Sequence, residues 1–130
     1  MPPVVIDASA LVDALVSADA EIVQSAIGDR SLLAPAHLDA EVLSALRGLV
    51  RGGHLTAGRC RDSLGDLGDL TLTRWPLTVE LMLRALDLSH SITAYDALYV
   101  ALAEIAEVPL LTRDGRLARA AEPFIEVEVV

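Results

Sequence analysis

The chain has 130 residues, 53% of them hydrophobic and 22% charged, which favours one buried core and argues against disorder or a coiled coil. Nineteen acids face ten bases, and every base is an arginine; without lysine there can be no Walker A loop, no Schiff base and no lysine-activated nucleophile. The formal net charge of −9 argues against broad, sequence-blind binding to nucleic acid, and a lone Cys60 excludes an internal disulfide or a multi-cysteine zinc site.

The opening MPPVVIDAS lacks the basic head and apolar body of a signal peptide. Apolar stretches elsewhere are broken by acids or proline short of a membrane span, so a cytoplasmic location with no membrane attachment is expected. VVI reads as a short buried strand ending at Asp7, followed by ASALVDALV at helical spacing. A second helix is expected over roughly residues 18–27, closed by Gly28. SLLAP (31–35) reads as a strand stopped by proline. From His37 to Arg51, Leu38, Val42, Ala45 and Leu49 recur at helical spacing, with Gly52-Gly53 closing the helix.

Residues 56–76 are the least regular part. Leu64 and Leu67 could share a helix face, but Gly65 and Gly68 each cost about 1 kcal/mol against alanine. TVELMLRALDL and ITAYDALYVALAEIAE then read as helices, the latter apolar almost all round and therefore central. VPLLT is a strand, DGRLARAAE a helix and FIEVEVV a closing edge strand. Strands alternating with helices imply an α/β fold with a parallel sheet of four or five strands, whose ligands sit beyond the strands' carboxyl ends.

Four acids are expected at that end. Asp7 and Asp114 follow strands, while Glu41 and Asp96 lie in the first turns of helices. Each has a structural explanation alone: Asp7 as an N-cap, Thr93–Asp96 as a variant capping box, Asp114-Gly115 as a turn, Glu41 as a dipole partner. Together they should converge on one pocket. Carboxylates crowded without lysine call for a cation, and oxygen-only donors select Mg²⁺ or Mn²⁺. Metal-assisted phosphodiester hydrolysis is the chemistry such a pocket suits.

VVIDASALVDALV, LDAEVLSALRGLV, ITAYDALYVALAE and PLLTRDGRLARAA, in that order, resemble the PIN-domain ribonucleases and most of all the VapC toxins of type II toxin–antitoxin pairs. The resemblance runs from Val4 to about Val129, with TAYDALYVALA its most specific stretch. It implies a single PIN-like domain over residues 1–130, a three-layer α/β/α fold, and an Mg²⁺- or Mn²⁺-dependent endoribonuclease. Asp7, Glu41, Asp96 and Asp114 match the family's metal-binding acids, and Ser9 and Thr112 its neighbouring hydroxyls. The implied partners are an RNA substrate, a VapB-like antitoxin and a second copy of the chain. Where some relatives carry a further acid, this chain has Arg116, which leaves one metal site without that ligand for a second.

Arg113, Arg116 and Arg119 are candidate RNA phosphate contacts, against a reading as a solvated helix face. Trp75, Leu81, Leu83 and Leu88 are apolar residues that a dimer interface could use. His37, His54 and His90 show no paired metal spacing; Tyr95 and Tyr99 read as core or interface, with base stacking as the other option. A phospho-acceptor receiver domain and a haloacid-dehalogenase-type phosphatase both need a lysine that is missing. A non-catalytic PIN-like scaffold that binds RNA or a partner is the alternative function.

Overall fold

In a computed structural model, which describes residues 2–130, every strand is short and parallel. The strands are β1 (Val4–Ile6), β2 (Leu32–Pro35), β3 (Leu72–Trp75), β4 (Leu110–Thr112) and β5 (Val127–Val129). They form one sheet in the order β3-β2-β1-β4-β5. β1 is central: Val4 and Val5 pair with Leu32 and Leu33 on one side, and Val5 and Ile6 with Leu110 and Leu111 on the other. All three residues of β1 are fully buried, as a β-branched run covered on both faces should be.

The helices are α1 (Ala8–Val16), α2 (Ala20–Ile27), α3 (Leu38–Arg51), α4 (Ala57–Asp69), α5 (Val79–Leu88), α6 (Ala94–Ala106) and α7 (Gly115–Ala121). α1 packs on α2, α3 and α4; α5 packs on α6, and α6 lies against β1, β2 and β4. The apolar α6 is accordingly the most enclosed helix, buried continuously from Ala97 to Ala103. This is the three-layer α/β/α arrangement expected, with five strands.

Several expectations need correction. The irregular stretch 56–76 contains a full helix, α4, and the edge strand β3. Thr56 caps α4 by accepting from Arg59 N–H at 3.1 Å, and Leu67 is buried. Gly65 and Gly68 face open space, so their propensity cost is outweighed by burial of the opposite face. β3 is pinned by two hydrogen bonds from Arg74 to the carboxylate of Asp39 at the start of α3, 2.6 and 3.0 Å long. In α3 the core position after Val42 belongs to Leu46, not Ala45, which is exposed. α2 begins at Ala20, two residues later than expected, after Ser17 Oγ accepts from Asp19 N–H. Of the apolar residues considered for an interface, Leu81 and Leu88 are core and Trp75 is half-buried against it; Leu83 is exposed. The exposed apolar face of α5 is instead Val79, Met82, Leu83 and Leu86.

Candidate active site

The chain runs from β1 through β2 to β3 on one side of the sheet, then returns to place β4 and β5 on the other. The order therefore reverses between β1 and β4, and their carboxyl ends flank the crevice where such sheets bind ligands. Asp7 leaves β1 there, and Thr112 ends β4 beside it, the backbones joined by Asp7 N–H to Leu111 C=O at 3.3 Å.

A hydroxyl network fixes this junction. Thr112 Oγ1 donates to Asp7 Oδ2 at 2.7 Å, and Ser9 Oγ lies 2.8 and 2.9 Å from the two Asp7 oxygens. Ala10 N–H donates to Oδ1 at 3.0 Å, so Asp7 is the N-cap of α1 as well. In turn Ser9 Oγ accepts from Arg113 N–H, and Thr112 Oγ1 from Asp114 N–H. Asp7 is only 4% exposed. Burial pushes its carboxyl above the ordinary range, the Thr112, Ala10 and Ser9 donors partly offset this, and the Asp96 charge adds to the rise.

Asp114 caps α7 through Oδ1, which accepts from Arg116 and Leu117 N–H at 2.9 and 3.2 Å. Asp96 sits in the first turn of α6, whose cap Thr93 accepts from Asp96 N–H through its hydroxyl. Burial raises the Asp96 carboxyl, the Thr93 hydroxyl opposes this, and the charges of Glu41 and Asp114 raise it further. Asp96 therefore lies within electrostatic reach of Glu41 and Asp114, as Asp7 does of Asp96.

Glu41 projects from α3 and is held by two aromatic residues. Tyr99 Oη donates to Glu41 Oε1 at 2.7 Å, and His37 Nε2 lies 3.3 Å from the same oxygen. Burial alone would raise Glu41, but the His37 and Tyr99 contacts outweigh it and hold the carboxyl below its usual value. Tyr99 is moved upwards by burial and then by the Glu41 carboxylate, so it keeps its proton and remains a donor. His37 Nδ1 is buried without a partner among the described residues.

Asp7, Glu41, Asp96 and Asp114 line a single open cavity of about 380 Å³, together with Asp13, and no basic side chain lines it. Asp13 escaped the sequence reading. Its signal is the spacing from Ser9, one helical turn on, which puts both on one face of α1. Among the described residues, no three acid, histidine or cysteine side chains are gathered closely enough to enclose an ion. Asp7 and Glu41 are already tied to the hydroxyls of Thr112 and Tyr99. The donor set nevertheless suits a hard cation: carboxylate and hydroxyl oxygens with no sulfur, and of the five carboxylates only Asp13 is paired with an arginine.

The candidate phosphate contacts divide. Arg113 is committed to Asp13 at 2.9 Å, Asp19 at 3.0 Å and the Val130 carbonyl at 3.1 Å. Arg116 and Arg119 are exposed on α7. His54 and His90 take no part in the cavity, whereas His37, one helical turn before Glu41, adjoins it.

Comparisons with known proteins bear on the family and the fold. The PIN domain family model matches residues 4–123. The chain is 40% identical over 132 residues to Ribonuclease VapC1 of Mycobacterium tuberculosis, covering all of this chain and 99% of that protein. The crystal structure of Mycobacterium tuberculosis VapC20, a Sarcin-Ricin loop cleaving toxin, superposes with a TM-score of 0.69 at 16% identity, covering 95% of this chain and 98% of that one. VapBC2 from Rickettsia felis, solved bound to a DNA fragment from its promoter, gives a TM-score of 0.68 at 13% identity, over 99% and 98% of the two chains. At those identities the two structures speak for the fold, and the full-length relative for the lineage: the chain belongs to the PIN-domain family, among its VapC ribonucleases.

Proposed function

We propose that the cavity at the carboxyl ends of β1 and β4 cleaves RNA phosphodiester bonds by hydrolysis with a bound Mg²⁺ or Mn²⁺. The observation that carries this reading is a cavity lined by five carboxylates and no base, in a chain whose full-length relatives are ribonucleases. Asp7, Asp96, Asp114 and Glu41 would hold the cation. When bound, it supplies charge for the phosphoryl oxygens and lowers the pKa of water.

The chain's own residues set the conditions. Ser9 and Thr112 orient Asp7 by donating to both of its oxygens. Tyr99 and His37 hold the Glu41 carboxyl below its usual value, which favours the ionised form a cation would bind. Asp114 spends Oδ1 on the α7 cap, leaving Oδ2 for the cavity. Arg116 and Arg119 can contact RNA phosphates locally, as required where net charge forbids a general electrostatic grip. Cleavage of RNA by pure protein should require Mg²⁺ or Mn²⁺ and stop with EDTA; robust cleavage in EDTA refutes the mechanism.

The full-length VapC relatives support a wider reading. The chain acts as the toxin of a pair, in the cytoplasm, neutralised by a VapB-like antitoxin that covers the acidic cavity with a cationic side chain. Among the described residues no helix is long and apolar enough to cross a membrane. The exposed α5 face, Val79, Met82, Leu83 and Leu86, supports a homodimer. Light scattering should give about twice the 13.8 kDa chain mass; a monomer at micromolar concentration refutes that part. Expression alone should arrest growth, and co-expression of the antitoxin should restore it.

A further inference from the structure

Beside the acidic cavity lies a second hollow of about 490 Å³, lined by His37, Ala40, Glu41, Ser44, Ala45 and Tyr95. It shares Glu41 and Ala45 with the first, and its volume falls within the range of small-ligand sites, about 300–1,000 Å³. We infer that this hollow is a nucleobase subsite, in which a base next to the cleaved phosphodiester stacks on Tyr95; the inference rests on the acidic cavity being the place of cleavage.

The occupant follows from charge and shape. No arginine lines the hollow and Glu41 does, so a phosphate is disfavoured and an uncharged part of the RNA is left. Ala40 and Ala45 present small side chains, which leave room for a flat group between α3 and the start of α6. Tyr95 is 67% exposed, an unusual cost for an aromatic ring in a chain with only two tyrosines. The ring is not loose: His37 packs against it with centroids 5.8 Å apart, and His37 Nε2 lies 3.1 Å from the Tyr95 carbonyl oxygen. His37 is backed by the buried Tyr99 at 4.9 Å. An exposed aromatic face on a rigid support is the platform on which unpaired bases stack, whatever their sequence. Ser44, exposed on the same wall, offers a hydroxyl to a base edge. Because Glu41 and Ala45 line both the hollow and the acidic cavity, a base seated here would set which phosphodiester faces the carboxylates.

The test compares wild type, Tyr95→Ala and Tyr95→Phe in binding a labelled single-stranded RNA, intact or carrying abasic residues at alternate positions, by fluorescence anisotropy. Ca²⁺ replaces Mg²⁺, and the RNA is checked for integrity on a gel. Wild type and Tyr95→Phe should bind the intact strand about tenfold more tightly than the abasic one, and Tyr95→Ala should bind both equally weakly. Thermal melts should show all three folded, since Tyr95 is exposed. Equal affinity of wild type for the two strands overturns the inference. So does unchanged binding of the intact strand by Tyr95→Ala, the result expected if the hollow instead receives an antitoxin side chain. Cleavage of the same strand in Mg²⁺ is scored separately. Base-dependent binding that Tyr95→Ala removes, without cleavage, would refute the acidic cavity as the cutting site and keep the hollow as a base-binding site but not its place beside the cut. Cleavage without base dependence would keep the cavity and overturn the subsite.

Discussion

Tyr99, buried in the middle of α6, donates a 2.7 Å hydrogen bond to Glu41 on α3, two helices that reach the acidic cavity from different parts of the chain. The ring is 1% exposed and its phenol keeps its proton, so the contact has one direction: the hydroxyl donates and the carboxylate accepts. Tyr99→Phe retains the ring and removes only that donor. Glu41 should lose its hold below the ordinary carboxylate range, and cleavage should fall. Stability should drop by about 1 kcal/mol, the usual net worth of one hydrogen bond. Melting curves and the acid limb of the rate–pH profile would check this; an unmoved acid limb would refute the role given to the contact.

The pH dependence of the metal-free protein has a defined sign. Asp7 and Asp96 titrate above their unfolded values, so the folded state binds more protons there, and stability falls as pH rises through that range. Glu41 titrates below its unfolded value; its contribution is present above the unfolded pKa and lost as pH falls through the folded one. Without metal, raising the pH upward from the ordinary carboxylate range should therefore cost stability through Asp7 and Asp96. Added Mg²⁺ should remove most of that loss. Melting temperatures at several pH values, with and without Mg²⁺, measure both effects.

Asp96→Asn distinguishes a cavity carboxylate from a helix-start acid. Relief of repulsion from Glu41 and Asp114 should raise the metal-free melting temperature. The same change should abolish cleavage and shrink the stabilisation expected from Mg²⁺, which binding linkage would set at about 2.7 kcal/mol for the wild type at a hundredfold excess over Kd. If Asp96 served α6 only as a favourable charge, the substitution would cost roughly 0.3–1 kcal/mol and leave the Mg²⁺ response intact.

Thr112→Val keeps the shape of a fully buried side chain and removes a donor to Asp7 and an acceptor for Asp114 N–H. Leaving such groups unsatisfied costs about 1–3 kcal/mol. The variant should melt lower and cleave more slowly, since Asp7 loses one of the hydroxyls that orient it. Wild-type activity in Thr112→Val would show that the network serves folding alone.

Arg113 and its neighbours should separate by phenotype. Arg113→Gln breaks contacts to Asp13 and Asp19, so it should lower stability more than RNA affinity. Arg116→Gln and Arg119→Gln should do the opposite and reduce the salt dependence of RNA binding. Salt titrations of RNA binding alongside melts would test the division.

The pattern of short apolar runs, helical periodicities and stop signals was enough to read the β1, β2, β4 and β5 strands and every helix but one. Local chemistry dictates those elements: a β-branched run after two prolines, Gly28 beyond α2, Gly52 beyond α3, all-round apolarity in α6. Asp7, Glu41, Asp96 and Asp114 were also legible, because strand ends and first helical turns are recognisable along the chain. α4 and β3 were not, since their stability comes from Leu67 against the core and Arg74 on Asp39, contacts that no local window contains. The same holds for the partners of the acids. Thr112 reaching Asp7 across 105 positions, Tyr99 reaching Glu41 across 58, and Arg113 turning away from solvent towards Asp13 across 100 are decided by the order of strands in the sheet. Sequence spacing determines which side chains leave an element on one face; only the packed sheet and helices decide which of those faces meet.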